Sequence, residues 1–373
     1  CHGRIMSETA ATLLDYVIPR VGIRQWVVSF PFPLRIQMAF DLKLQSKVLS
    51  AVIKTIESYY RKRAVQRYGK FQEPLKIGAV TVCQRSGDAL NLNLHLHSLV
   101  TDGVYTISDN PKFYPVHAPS DADVMAILKK IVLKVKRIAD KHTSTLAQEN
   151  LGAPINNNFG KIRTHFHYDE PELSGRRCAT YEHFSIHANT AVSEHNRVRL
   201  ETLSRYLLRP PVSLERLSLP EDGKTVIYKL KKTWSDGTSH VTFTPQQFLS
   251  RLCNLVQPPY SHQIRFHGVL APNSKIRKMI VPRPMSPMSI DEMEALESKT
   301  PKRIRLSWAD LLKRVFLFDI EKCPKCQGKM KIIAAITETK VIAKYLSHIG
   351  LPTGPPEIVP ALTTFSETEF IYQ

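Results

Sequence analysis

Cysteine is scarce in this chain: six in 373 residues, with Cys1, Cys83, Cys178 and Cys253 standing singly. That scatter excludes a disulfide framework and makes a reducing cytoplasm the expected compartment. Long apolar runs are missing too, which excludes a transmembrane helix. The N-terminus lacks an apolar h-region, so no signal peptide is expected. The chain opens on Cys1 rather than Met and reads as a fragment or a processed piece. Acidic residues are few: 33 Asp plus Glu against 52 Lys plus Arg, a formal net charge of +19. Such an excess points to a polyanionic partner, nucleic acid first, with a ribosome-like or generally sticky protein as the plainer alternative. The apolar fraction of 43% is globular, and the length suffices for two or three domains.

What is present begins with Asn91-Leu92-Asn93-Leu94-His95-Leu96-His97. Leu92, Leu94 and Leu96 alternate with Asn91, Asn93, His95 and His97, the pattern of a strand with one core face and one polar face. The two imidazoles then stand about 7 Å apart along the strand and can share one metal ion. A second His-x-His, His165-Phe166-His167, has no apolar strand around it and reads as a surface loop. Around this anchor the pattern predicts a helix within 1–20, a strand at 23–30 stopped by Pro31 and Pro33, and a helix at about 46–68. A hairpin follows, with strands 76–84 and 90–100 and a turn at Ser86-Gly87-Asp88. Next come a helix at 121–141, an irregular stretch over 142–178, strand character at 181–192, and a helix from about 194 to Leu208 ended by Pro210. A second hairpin spans 224–244 and carries Lys229, Lys231, Lys232 and Trp234, groups suited to phosphate contact and base stacking but equally at home on a solvated hairpin. A Pro- and Ser-rich linker at 281–305 leads to a helix at 307–317, the pair Cys323 and Cys326, a strand at 330–336 and a Pro-rich tail. The fold class expected is α+β, an antiparallel sheet with helices on its apolar face, plus a small C-terminal Cys-containing module. The expected divisions are 1–20, 21–215, a β-rich 216–280, 281–305 and 306–373.

Tyr206 lies in the last turn of the helix 194–208, framed by Arg197, Arg199, Arg205 and Arg209. Nearby guanidinium groups favour a phenolate and hold a phosphate beside it, whereas an ordinary amphipathic helix would make Tyr206 a core aromatic. Arg199, Arg205 and Arg209 are the candidate DNA-phosphate contacts. Joined to the His pair, these parts describe one reaction. A divalent ion on His95 and His97 polarises a DNA phosphate, and Tyr206 attacks in line to leave a 5′-phosphotyrosine and a free 3′-hydroxyl. Imidazoles suit zinc, whereas phosphoryl chemistry commonly uses magnesium or manganese.

The chain resembles the transposases of insertion-sequence family 91, bacterial rolling-circle enzymes of the HUH endonuclease superfamily. The resemblance is carried by Arg24-Gln25-Trp26-Val27-Val28-Ser29-Phe30-Pro31, by Leu92–His97 with Asp102-Gly103-Val104-Tyr105, and by Phe184-Ser185-Ile186-His187-Ala188. Arg205-Tyr206-Leu207-Leu208-Arg209-Pro210-Pro211 and Phe266-His267-Gly268-Val269-Leu270-Ala271-Pro272 complete it. It implies a nuclease core over 21–215, a metal-dependent nickase acting on single-stranded DNA at element ends, and a bacterial, cytoplasmic, nucleoid-associated protein. His95 and His97 match the paired metal ligands and Tyr206 the nucleophile, with Mg or Mn as the cofactor. A catalytically inactive remnant that only binds DNA is the alternative. Family members often carry two tyrosines four residues apart; here Thr202 and Pro210 occupy those positions, as in the single-tyrosine branch associated with common-region elements. Relatives open with a Cys-rich zinc module, of which residues 1–20 would be the remnant. Cys323 and Cys326 have knuckle spacing and are candidate zinc ligands without a clear second pair. A third ligand is expected beside the His pair: His187 is the candidate, a structural histidine the alternative. Gln84 is the rival, though a tight hairpin would set it about five residues away along the sheet.

Overall fold

The computed structural model describes residues 2–149, 170–220, 223–282, 306–316, 319–323, 325–331, 333, 336, 338–350 and 353. The described residues divide into two compact units. One is built on 13–284; the other joins the first twelve residues to the C-terminal region from 285. The linker expected at 281–305, the second His-x-His and most of the tail fall largely or wholly outside the described residues.

The larger unit is organised by one antiparallel sheet. Its strands are β1 (Ile23–Ser29), β3 (Gly78–Ser86), β4 (Leu92–Thr101), β7 (Glu172–Gly175), β8 (Cys178–Tyr181), β9 (Phe184–His187) and β14 (Ile264–Gly268), in the order β14-β3-β4-β1-β9-β8-β7; the short β10 (Ala191–Val192) also pairs with β1. Alternation decides which side chains go where. Trp26, Val28 and Phe30, with Leu94, Leu96 and Val100, share one buried core with Leu34 and Met38 of α2 (Phe32–Phe40), Val48, Val52 and Ile56 of α3 (Leu42–Tyr68), and Val124, Leu128 and Ile131 of α4 (Asp121–Glu149). The α+β class and the two helices expected behind the sheet are therefore present. The helix α2 was not expected. Pro31 and Pro33 end β1 but also start a helix, since a missing N–H costs nothing in the first turn. Nor is 142–178 simply irregular: α4 runs to Glu149, and β7 begins at Glu172.

A buried ion pair pins this core at the end of the central strands. Arg24 donates to Asp102 at 2.7 Å and to the Ala188 carbonyl at 2.9 Å, while the Tyr60 hydroxyl donates to Asp102 at 2.8 Å. Three segments of the quoted resemblance motifs and α3 thus meet in one satisfied polar cluster, the condition under which a buried charge is tolerated. The strand β14 was not foreseen; it pairs with β3 along its whole length, and its last residue, Gly268, has φ +61°. A Cβ there would stand 1.8 Å from the Ile77 carbonyl oxygen, so only glycine lets the chain turn away from the sheet.

The remainder of 216–280 forms a three-stranded sheet, β11 (Leu217–Ser218), β12 (Val226–Lys229) and β13 (His240–Phe243), followed by α6 (Pro245–Leu255). Thr244 and Gln247 close a capping box at the start of α6, a signal present in the sequence. Val226, Tyr228, Phe243 and Leu255 share a core with Leu90 of the β3–β4 loop. A third small sheet joins β2 (Leu75–Lys76), β5 (Gly103–Thr106) and β6 (Phe113–Pro115). In the other unit the expected helix appears as α8 (Trp308–Phe316), and α9 (Thr339–His348) is additional. The strand expected at 330–336 is not formed among its described residues; instead Lys322 and Lys329 make a single bridge around the Cys pair.

Candidate functional site

The polar face of the sheet carries two cross-strand rows. One reads Gln84, His95, Ser29 and Ser185; the next reads Val82, His97, Val27 and His187. His95 and His97 lie with ring centroids 4.8 Å apart. The Nδ1 of His95 is 2.7 Å from the Asn93 carbonyl oxygen, to which it donates, leaving Nε2 with its lone pair outward. The Nδ1 of His97 is 2.8 Å from the side-chain amide of Gln25. With the amide oxygen turned to Nδ1, His97 also presents a bare Nε2; with the NH2 there, the proton sits on Nε2.

Both imidazoles are held neutral. Burial lowers the His95 pKa first, and the charges of Arg35, Arg209 and Lys231 lower it further, against the Asn93 carbonyl. His97 is pushed well below its usual value by burial, then by His95, Arg209, His187 and Lys231. Neutral imidazole is the form that binds a metal ion. The donor set, its tautomer at His95 and its charge state fit a divalent cation.

Tyr206 belongs to the same place. It is the penultimate residue of α5 (Arg197–Leu207), which turns Leu200, Leu203 and Leu207 inward as its apolar stripe. The helix is fixed at both ends. At the start, Asn196 caps the backbone N–H of Arg199, and the Arg197 guanidinium donates to the carbonyls of Ile18 at 3.1 Å and Pro19 at 3.3 Å. At the finish, Gln84 donates its amide to the Leu207 carbonyl at 2.7 Å, satisfying one of the acceptors a helix end leaves open. The Arg209 guanidinium lies 4.0 Å from the Tyr206 ring centroid and the Lys231 ammonium 5.7 Å from it. These are the two cations whose charge reaches both His95 and His97.

Other sequence-based expectations come out differently. Gln84 is not displaced from the His pair: it is directly opposite His95, because the β3–β4 connection is longer than a tight turn and a bulge sits between Gln84 and Ser86. His187 is two strands from His97, with Val27 between them, about 10 Å at the backbone. Among the described residues no three His, Cys, Asp or Glu side chains converge as a metal site. Of the three arginines, Arg209 is at the site. Arg205 instead reaches back to Thr202, and the Nε of Arg199 is buried. The residues missed are Arg35 and Gln25; Gln84, weighed only as a rival ligand, ties down the end of α5. Arg35 donates to Asn93 at 2.7 Å and to the Phe30 carbonyl, bracing the strand end beside His95.

In the smaller unit, Cys323 and Cys326 flank a tight turn in which Cys323 N–H donates to Gly328 and Gln327 N–H to Cys323. The backbone N–H groups of Cys326 and Lys325 point at the Cys323 thiol and, with the Cys326 side chain, lower its pKa. Backbone N–H groups gathered on a sulfur favour its ionised form, the form that ligates metals.

Fold and site together define an α+β protein with paired neutral histidines on the polar face of an antiparallel sheet and a tyrosine-bearing helix end pinned beside them. Residues 78–278, more than half of the chain, match the family model described as "Putative transposase", and the chain belongs to that family. No curated protein and no solved structure matches it. As a transposase it is a DNA-cleaving, DNA-binding enzyme, and among the described residues no helix is long and apolar enough to cross a membrane.

Proposed function

We propose that this transposase nicks single-stranded DNA at element ends through Tyr206 and transfers the strand by a rolling-circle mechanism, as HUH endonucleases of the insertion-sequence 91 kind do. The observation that carries this reading is the shared pair of cations, Arg209 and Lys231, packed on the Tyr206 ring and acting on both His95 and His97. A scissile phosphate placed there meets two positive charges before any ion is counted. His95 and His97 would hold Mg or Mn, which when bound draws charge from the phosphate oxygens. Arg209 and Lys231 orient the phosphate and favour loss of the Tyr206 proton to water. The phenolate oxygen forms the new bond to phosphorus, the bond to the 3′-oxygen breaks, and that oxygen takes a proton from water. The phosphodiester is exchanged rather than hydrolysed, so a later 3′-hydroxyl can reverse the step. Thr202 and Pro210, four residues either side of Tyr206, make this a single-tyrosine enzyme. Cys323 and Cys326 would supply two of the sulfur ligands of a zinc site.

The test uses single-stranded oligonucleotides covering the DNA that flanks the coding sequence, with Mg or Mn, and reads covalent protein–DNA adduct on a denaturing gel. Tyr206→Phe is expected to remove the adduct while binding stays within about twofold, because only the nucleophile is lost. A Phe variant that still forms a 5′-linked adduct overturns the assignment. A wild-type chain that binds but never cleaves is the inactive remnant.

A further inference from the structure

Beyond the two histidines and Tyr206, the hairpin joining β12 to β13 lends Lys231 to the site, while the residues past it have no role in the chemistry. Its base is held rigidly. Asp88, in the β3–β4 loop, accepts the backbone N–H of Lys231 at 3.1 Å and the Arg216 guanidinium at 2.9 Å. Arg216 in turn donates to the Tyr228 hydroxyl at 2.7 Å. The loop that precedes the histidine strand therefore fixes where Lys231 stands, and its ammonium falls beside Tyr206. Past Lys231 the chain runs through Lys232 to Trp234 and turns back through Gly237 (φ +87°), with Trp234 and Thr238 bonded across the turn at 2.9 Å. Trp234 is 48% exposed at this tip, flanked by the exposed Lys232. Trp234 follows Lys231 by three residues, a backbone distance of at most about 10 Å, so one short segment carries an indole and two ammonium groups from the tyrosine outward along the hairpin.

We propose that this hairpin is the seat of a nucleotide flanking the scissile phosphate, Trp234 stacking on its base and Lys231 and Lys232 tracking the backbone. The placement rests on the reading of Tyr206 as nucleophile. The partner chemistry is single-stranded nucleic acid, because an indole can cover the face of any unstacked base but not of one inside a duplex. Asp88 is the positioning residue: its carboxylate touches no DNA but sets the hairpin against the histidine strand.

The experiment measures binding of the full chain to a fluorescent oligothymidylate of about 30 nucleotides, which needs neither the element sequence nor cleavage. Trp234→Ala is expected to weaken binding roughly 5- to 100-fold, the range seen for removal of one stacking aromatic, and Trp234→Phe to retain most of the affinity. The oligonucleotide should quench the tryptophan emission of the wild type, and Trp234→Phe, which keeps Trp26 and Trp308, should lose that quenching. Because Trp234 sits half-exposed on a turn, the Ala variant should melt with the wild type, which separates lost stacking from lost folding. Binding by Trp234→Ala within about twofold of wild type, quenching that persists in Trp234→Phe, or an equal effect on duplex DNA overturns the proposal. Tyr206→Phe run alongside keeps the two ideas apart. Adducts formed by that variant sink the nucleophile and leave the stacking result standing, and unchanged binding by Trp234→Ala does the reverse.

Discussion

At His95 and His97 a small number of contacts decides what the imidazoles can do. Burial, Arg209 and Lys231 favour the neutral form of both rings, joined by Arg35 at His95, so the form that can ligate an ion persists at pH values where an exposed histidine is already charged. The sign follows from the direction of the shift. A folded-state pKa below the ordinary 6.5 means that the unfolded chain takes up protons first on acidification. The contribution to stability is therefore present above pH 6.5 and is lost as pH falls from there towards the folded value, and the acid limb of metal-dependent cleavage should lie below 6.5 as well. His95→Ala or His97→Ala should reduce that cleavage by about 100-fold or more. His165→Ala and His167→Ala, which lie outside the alternating strand pattern in sequence, should change it by less than about twofold. Cleavage rates of the four variants, measured against pH in Mg or Mn, check both statements; equal losses for the two pairs would place the metal elsewhere.

At the level of elements, the C-terminal end of α5 is tied to the histidine row by one amide. Gln84 holds the Leu207 carbonyl from the strand opposite His95, so the helix end and the histidine row cannot drift apart without breaking that bond. Gln84→Glu removes the donor at nearly constant size, and a displacement of about 1 Å is enough to lower an in-line reaction roughly 100-fold. The adduct-forming rate at saturating DNA should drop by that order while binding is unchanged. Gln84→Lys, which again offers an N–H, should recover part of the rate; equal rates for all three would deny the tether. This contact also shows where the sequence stops being legible. Alternation gave the faces of β1 and β4, and the periodicity of α3 and α4 gave the core, because each depends on neighbours a few residues apart. The opposition of Gln84 and His95 depends on how many residues the connection consumes and on one bulge, which composition does not declare. Helix α2 was hidden by prolines that serve equally to end a strand and begin a helix. Lys231 reaches the site only because Asp88, 143 residues earlier, holds its backbone.

For the whole molecule, a net charge of +19 means that association with single-stranded DNA is dominated by displaced counterions. With several phosphate contacts the logarithm of the binding constant should fall with the logarithm of salt at a slope of about −0.7 per contact. Titration of oligothymidylate between roughly 50 and 200 mM salt measures it, and a flat response would point to a different partner. The sheet itself has a further consequence. The outer side of β3 is covered by β14, the edge strand, which enters the chain only at Ile264, long after Ser86 ends β3. During synthesis at about 5–20 residues per second, β3 waits on the order of 10–40 s with its outer hydrogen-bonding groups unpaired. A ribosome that stalls in that interval releases a chain whose histidine strand is already paired on both sides, but whose sheet still offers an open row of donors and acceptors to its neighbours. The last of this sheet's strands to be made thus exchanges a nine-residue open edge for a five-residue one, and the shorter edge is the poorer template for another chain.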